Sequence, residues 1–176
     1  MVLSTPYRLW FLPSVVLLAV MGIWGTARYD DLPERIPQHI GTGGVDAWTG
    51  RSVANAFALV FLYVGVTALT AASAELVLRT TPRDELDEQH AVFGTRSASV
   101  LNRPASRAAA RRMARALLVL NACIGLSLLV GCGIMWRTTP DPDVPRWLLV
   151  VLITPLIVGT AVTAAAAVTP RRRGSR

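Results

Sequence analysis

The sequence predicts an all-α integral membrane protein, a bundle of four transmembrane helices with both termini cytoplasmic. Three observations predict it. Apolar residues make up 52% of the 176 and mean hydropathy is positive, more apolar surface than a soluble domain of this size can hide. That surface is gathered into four stretches, 9–27, 53–78, 116–136 and 147–169, each near the roughly 20 residues that cross a hydrocarbon core about 30 Å thick. Arginine, finally, is shared unevenly between the connections: thirteen fall in the amino end, residues 79–115 and the tail, against five in residues 28–52 and 137–146. Short cytoplasmic segments retain basic residues more readily than exported ones, so the thirteen mark the inner side.

The first apolar run follows Arg8 and ends near Gly25 and Ala27, small residues of the kind found at signal cleavage sites. Its length exceeds the usual signal core of about 7–15 residues, which favours a retained span. Trp24, Trp48, Trp136 and Trp147 all fall toward one membrane face, where indole rings prefer the headgroup level, and Trp10 marks the other. Charge and tryptophan thus agree on where each helix turns. The chain divides into a first helical hairpin (1–78), a cytoplasmic loop (79–115) and a second helical hairpin with a basic tail (116–176).

Within the second span, Glu75 is the one acid. It lies about a turn from the inner end and four residues before Arg79, spacing that favours an interfacial ion pair over a buried charge. Asn121 is the polar residue of the third span and would meet Glu75 if the two helices touch there. Small residues every fourth position mark helix contacts in lipid, and two such stripes are present: Cys123, Ser127 and Gly131 on the third span, and Gly159, Thr163 and Ala167 on the fourth. Cys123 and Cys132, nine residues apart on one helix, point to nearly opposite faces and read as packing residues.

In the cytoplasmic loop an acidic patch, Asp84, Glu85, Asp87 and Glu88, precedes a segment in which Arg103, Arg107, Arg111 and Arg115 recur every fourth position. Ala108, Ala109, Ala110 and Met113 are good helix formers, so the third helix is expected to start before the membrane does, with its arginine stripe against anionic headgroups. No aromatic residue interleaves the stripe, and basic runs beside a span follow from topology alone. Nucleic acid is therefore not the expected partner. All eighteen basic residues are arginine, a codon bias that points to a GC-rich bacterial genome and hence to a bacterial inner or plasma membrane.

The first external loop is less generic: Tyr29, Asp30, Asp31, Leu32, Pro33, Glu34, Arg35, Ile36, Pro37, Gln38, His39, then glycines at 41, 43 and 44, then Asp46 and Trp48. Pro33 and Pro37 bias the backbone toward extended conformations, and the glycines permit a tight reversal, so a stiff arm followed by a hinge is expected. This stretch resembles the membrane-protein family called domain of unknown function 1648. The family pattern is an aromatic residue, Leu-Pro, an acid, a basic residue, Ile-Pro, one residue and His, followed by Gly, Asp and an aromatic residue. The positions that match are Tyr29, Leu32, Pro33, Glu34, Arg35, Ile36, Pro37 and His39, then Gly43 or Gly44, Asp46 and Trp48. The resemblance implies a small bacterial membrane protein without established chemistry, related to immunity proteins against secreted antibacterial peptides.

Catalysis is not expected. His39 and His90 fall on opposite sides in this topology, so neither a three-ligand metal site nor a hydrolase triad can assemble from both. His39 with Asp46, Glu34, Asp30 or Asp31 matches no paired-ligand spacing, and neither a metal nor a cofactor is expected. The leading expectation is a recognition or immunity-like protein in which Glu34, Arg35, Pro37, His39, Asp46 and Trp48 meet a peptide or another membrane protein. The alternatives are an accessory subunit of a transporter or envelope complex, using the small-residue stripes, and an ion or proton carrier centred on Glu75.

Overall fold

The computed structural model of the chain describes residues 5–41, 44–86, 103–138 and 145–168. The first helix, α1 (Thr5–Arg28), passes through a short 3-10 turn at Tyr29–Asp31 into an antiparallel hairpin, β1 (Arg35–Gly41) and β2 (Gly44–Gly50). A four-residue helix, α2 (Val53–Ala56), follows. Its start is capped by Ser52 Oγ, which accepts the Asn55 N–H at 3.2 Å, and it breaks at Phe57 before α3 (Ala58–Arg79). A second 3-10 turn occupies Arg83–Glu85, and α4 (Arg107–Met135) and α5 (Arg146–Val168) complete the described elements.

Four helices among the described residues, α1, α3, α4 and α5, are long and apolar enough to cross a membrane. The all-α, four-span expectation is borne out. Proline inside α1 (Pro13) and inside α5 (Pro155) is compatible with this, because neighbouring helices and hydroxyls can re-satisfy the freed carbonyls of a membrane helix. The early start of the third span is also as expected. Ser106 caps α4 by accepting the Ala109 N–H at 3.2 Å, and the helix begins at Arg107, nine residues before the apolar stretch at Ala116.

Helix α4 is the hub of the bundle: α1, α3 and α5 all pack on it, while α1 and α3 meet only lightly and α5 rests chiefly on α4. The cause lies in its side chains. Ala110, Ala114, Ala116, Gly125, Ser127 and Cys132 are buried at different angles around α4, so three neighbours can approach closely from three directions. Gly159 of α5 seats against Cys123 and Leu120, where an added Cβ would lie 2.9 Å from each, and Thr163 Oγ1 reaches the Ala116 carbonyl of α4 at 3.5 Å. Gly131 faces Leu59 of α3, and Gly125 is pressed against the Tyr63 ring.

Along its axis the bundle is layered. At the hairpin end, Leu17, Met21, Val60, Cys132 and Trp136 form an apolar cluster that also takes in Leu32 and Ile36 from the chain entering the hairpin. Ser14, Thr67, Tyr63 and Asn121, all buried, form a polar layer in the middle. Tyr7, Ala74, Ala114 and Leu118 close the opposite end.

Burial distinguishes the tryptophans of the expected belt. Trp136 is only 2% exposed: its ring meets Trp24 edge-on at 5.4 Å and Phe57 at 5.9 Å, and its indole N–H donates to the Ala56 carbonyl at 2.8 Å. Two of the four rings therefore pin helices together under the hairpin, since an indole donor buried among protein groups needs a protein acceptor. Trp147, by contrast, is exposed at the start of α5.

Candidate functional site

The expected stiff arm is a strand, and the chain reverses between Gly41 and Gly44 to pair it with a second strand. Residues 35–41 pair with 44–50, from Arg35 opposite Gly50 to Gly41 opposite Gly44, with an irregularity around His39, which pairs with Ala47. Residues 42 and 43 lie outside the described residues, and with them Gly43 of the motif. Pro37 is compatible with a strand because a two-stranded sheet leaves each strand an unpaired edge, where its missing N–H costs no ladder bond.

The motif divides into two chemical classes. Leu32 is 4% exposed and Ile36 is fully buried, both in the apolar cluster of the bundle, and Pro37 is buried as well. These residues root the hairpin. Glu34, Arg35, His39 and Asp46 face outward instead. His39 Nδ1 and Asp46 Oδ1 lie 2.6 Å apart across the strands, joining two motif residues seven apart in sequence. This carboxylate fixes the ring through Nδ1 and leaves Nε2 as the imidazole atom available to a ligand. Pro33, Glu34, Arg35 and Trp48 line a shallow depression of about 430 Å³. All six residues singled out in the loop thus belong to one small hairpin, with Pro37 in the root and the other five on its surface.

Arg51 is the residue that sequence reasoning missed. Its guanidinium donates to the carbonyls of Asp30 (3.0 Å) and Leu32 (2.8 Å), its backbone N–H donates to Glu34 O (2.8 Å), and its charge lies 5.9 Å from the Tyr29 ring centre. Asn55 adds bonds to Thr49 Oγ1 and Gly50 O, both at 2.9 Å. Together they tie the two ends of the hairpin to each other and to α2. The available signal was the turn before Pro33, whose Asp30 and Leu32 carbonyls need donors from outside it. Arg51→Ala is expected to cost about 1–3 kcal/mol of hairpin stability. The check is faster hydrogen exchange at residues 35–50 with no change in α4, and unchanged exchange would count against the clamp.

Chemically, the site can present a charged and aromatic surface. No three His, Cys, Asp or Glu side chains converge as a metal set among the described residues. His90, Asp87 and Glu88 lie outside them.

The other singled-out residues lie elsewhere. Glu75 Oε1 accepts from Arg79 Nε at 2.6 Å near the end of α3, an i, i+4 pair. Asn121 does not meet Glu75. Its side-chain amide donates to Ser14 Oγ (2.8 Å) and Thr67 Oγ1 (3.1 Å), and its backbone carbonyl accepts from Tyr63 Oη (3.2 Å), binding α1, α3 and α4 in the polar layer.

The four arginines expected as one stripe are used separately. Arg103 donates to Thr81 O, Arg107 forks onto Glu85 at 2.8 Å, Arg115 lies over the Trp10 ring, and Arg111 is exposed. The hydrogen bonds and charge of Arg107 hold the Glu85 carboxyl below the usual glutamate range.

No family model, curated protein or solved structure matches this chain.

Proposed function

We propose that the chain is a non-catalytic recognition protein of the bacterial inner membrane, both termini inside, whose external hairpin binds a peptide or a partner protein in the manner of an immunity factor. The observation that carries this reading is the division of labour in the hairpin: Leu32, Ile36 and Pro37 are buried to root it, while Glu34, Arg35, His39 and Asp46 are displayed. A purely structural loop has no need to hold exposed polar groups in fixed relation. Rigid presentation of this kind reduces the ordering cost of binding.

The accessory-subunit reading retains one observation in its favour, since α5 packs chiefly on α4 and displays Trp147, Val150 and Ile157 outward. Gly131 and Gly159 are spent on contacts within the chain, so an assembly surface would be the outer face of α5. The carrier reading is weakened by the Glu75–Arg79 pair.

Two measurements in intact cells test the proposal. With Cys123 and Cys132 replaced, a single cysteine at Gln38 is expected to react with an impermeant thiol reagent. Cells making the chain are then challenged with antibacterial peptides secreted by neighbouring strains. His39→Ala and Asp46→Ala are expected to reduce protection on the order of tenfold, the effect of removing a well-placed interface residue, with protein level and labelling at 38 unchanged. Protection that survives both substitutions, or an unreactive position 38, would sink the reading.

A further inference from the structure

At the bundle end opposite the hairpin, a groove of about 680 Å³ is lined by the last turn of α3, the first two turns of α4, the end of α5 and the short segments that flank them. Its polar wall carries Arg83, Arg103 and Arg112, and among the described residues no carboxylate lines it. Its other walls are apolar, with Leu76 from α3, Met113 from α4 and Val168 from α5. We propose that this groove is a binding site for one anionic phospholipid, its phosphate held by Arg83, Arg103 and Arg112 and an acyl chain lying along Leu76, Met113 and Val168.

The charged wall is set in place before any ligand arrives. The Arg83 N–H donates to Pro104 O at 3.0 Å, stitching the turn after α3 to the segment before α4, and Arg103 spends one N–H on Thr81 O at 3.2 Å. A guanidinium has five donors, so a single such bond leaves the fork able to meet a phosphate. Arg107 fixes the same junction through the Glu85 carboxylate, two residues after Arg83, and through the Leu78 carbonyl.

Charge and shape together select the ligand class. A soluble anion would satisfy the arginines and leave the apolar walls unfilled, and a neutral lipid would do the reverse. The first turns of α4 precede its apolar stretch, so the three arginines stand at headgroup depth while the walls descend along the spans. Such a lipid would also bridge α3 and α5, two helices otherwise joined through α4.

The test uses the full chain in nanodiscs of phosphatidylcholine with and without phosphatidylglycerol, read by native mass spectrometry of retained lipid and by thermal unfolding. Wild type is expected to retain one phosphatidylglycerol in preference to phosphatidylcholine and to unfold at higher temperature with it. The double variant Arg83→Gln, Arg112→Gln should bind it on the order of 10- to 30-fold more weakly. Arg111→Gln, on the exposed face, should behave as wild type, and Arg83→Lys with Arg112→Lys should recover most of the retention. Inorganic phosphate and glycerol 3-phosphate should not displace the lipid. Displacement by either would reassign the groove to a soluble phosphate. Equal retention by wild type and the glutamine variant, or equal loss with Arg111→Gln, would reduce the effect to diffuse surface attraction and overturn the site.

Discussion

Trp136→Ala is expected to lower stability by about 3–5 kcal/mol, the range for truncating a large buried aromatic residue, and to loosen the hairpin while all four spans still insert. The ring is the meeting point of three elements at one end of the bundle. Trp24 of α1 packs on it edge-on, Phe57 at the break between α2 and α3 packs beside it, and Gly25 leaves no space between α1 and its six-membered edge. Its indole N–H occupies the Ala56 carbonyl, so truncation creates a cavity and strands an acceptor at once. Ile36, which roots β1, belongs to the same cluster. Insertion should survive because it depends on the apolar length of each helix, which one substitution at the end of α4 does not change. Trp136→Phe should retain most of the packing and cost about 1 kcal/mol through the lost hydrogen bond. Unfolding in mixed detergent micelles measures both, and hydrogen exchange at residues 35–50 reports the hairpin. If both variants unfold like the wild type, Trp136 is a lipid-facing ring and the cluster is not what holds the hairpin.

The contrast between Trp136 and Trp147 shows where sequence reading reaches its limit. Both lie at the end of a span beside a connection, and hydropathy gives them the same role, yet one is buried in protein and the other exposed. Hydropathy measures transfer out of water and does not distinguish lipid from protein as the destination. Span number and length were legible for that reason, and the hub role of α4 was not. The early start of α4 was legible from its alanines, because propensity acts locally.

The hairpin was half legible. Glycines at 41, 43 and 44 sit where a two-strand reversal needs them. Pro33 and Pro37 masked the signal, since proline inside a strand argues against pairing except at an edge. The His39–Asp46 contact depends on that register and follows once the strands are placed. Asn121 was recognisable as a polar residue in lipid, but its partners were not. Ser14 and Thr67 are ordinary residues of membrane helices, and which hydroxyls meet an amide depends on helix rotation, which a nearly uniform apolar surface leaves unspecified.

Gly125→Ala is expected to be the second most damaging small change, at about 1–3 kcal/mol for overpacking, with a larger loss for Gly125→Val. A Cβ at 125 would overlap Tyr63 at Oη, Cζ and Cε1. The ring is fully buried and has no open direction to move, and its hydroxyl donates to the Asn121 carbonyl at 3.2 Å. Relief therefore requires α3 to separate from α4, which also strains the Thr67–Asn121 bond in the same layer. Gly22→Ala and Gly65→Ala provide the comparison, since both glycines lie in spanning helices with no atom within 4 Å of an added Cβ. They should be neutral or slightly stabilising, because alanine is the better helix former. The decisive variant is Gly125→Ala combined with Tyr63→Leu, whose cost should fall below the sum of the two single changes by about 1 kcal/mol or more, as contacting residues couple. Additive costs would mean that the ring and the glycine do not touch in the membrane. The α3–α4 packing that carries the polar layer, and above it the cluster that roots the hairpin, would then need a different arrangement.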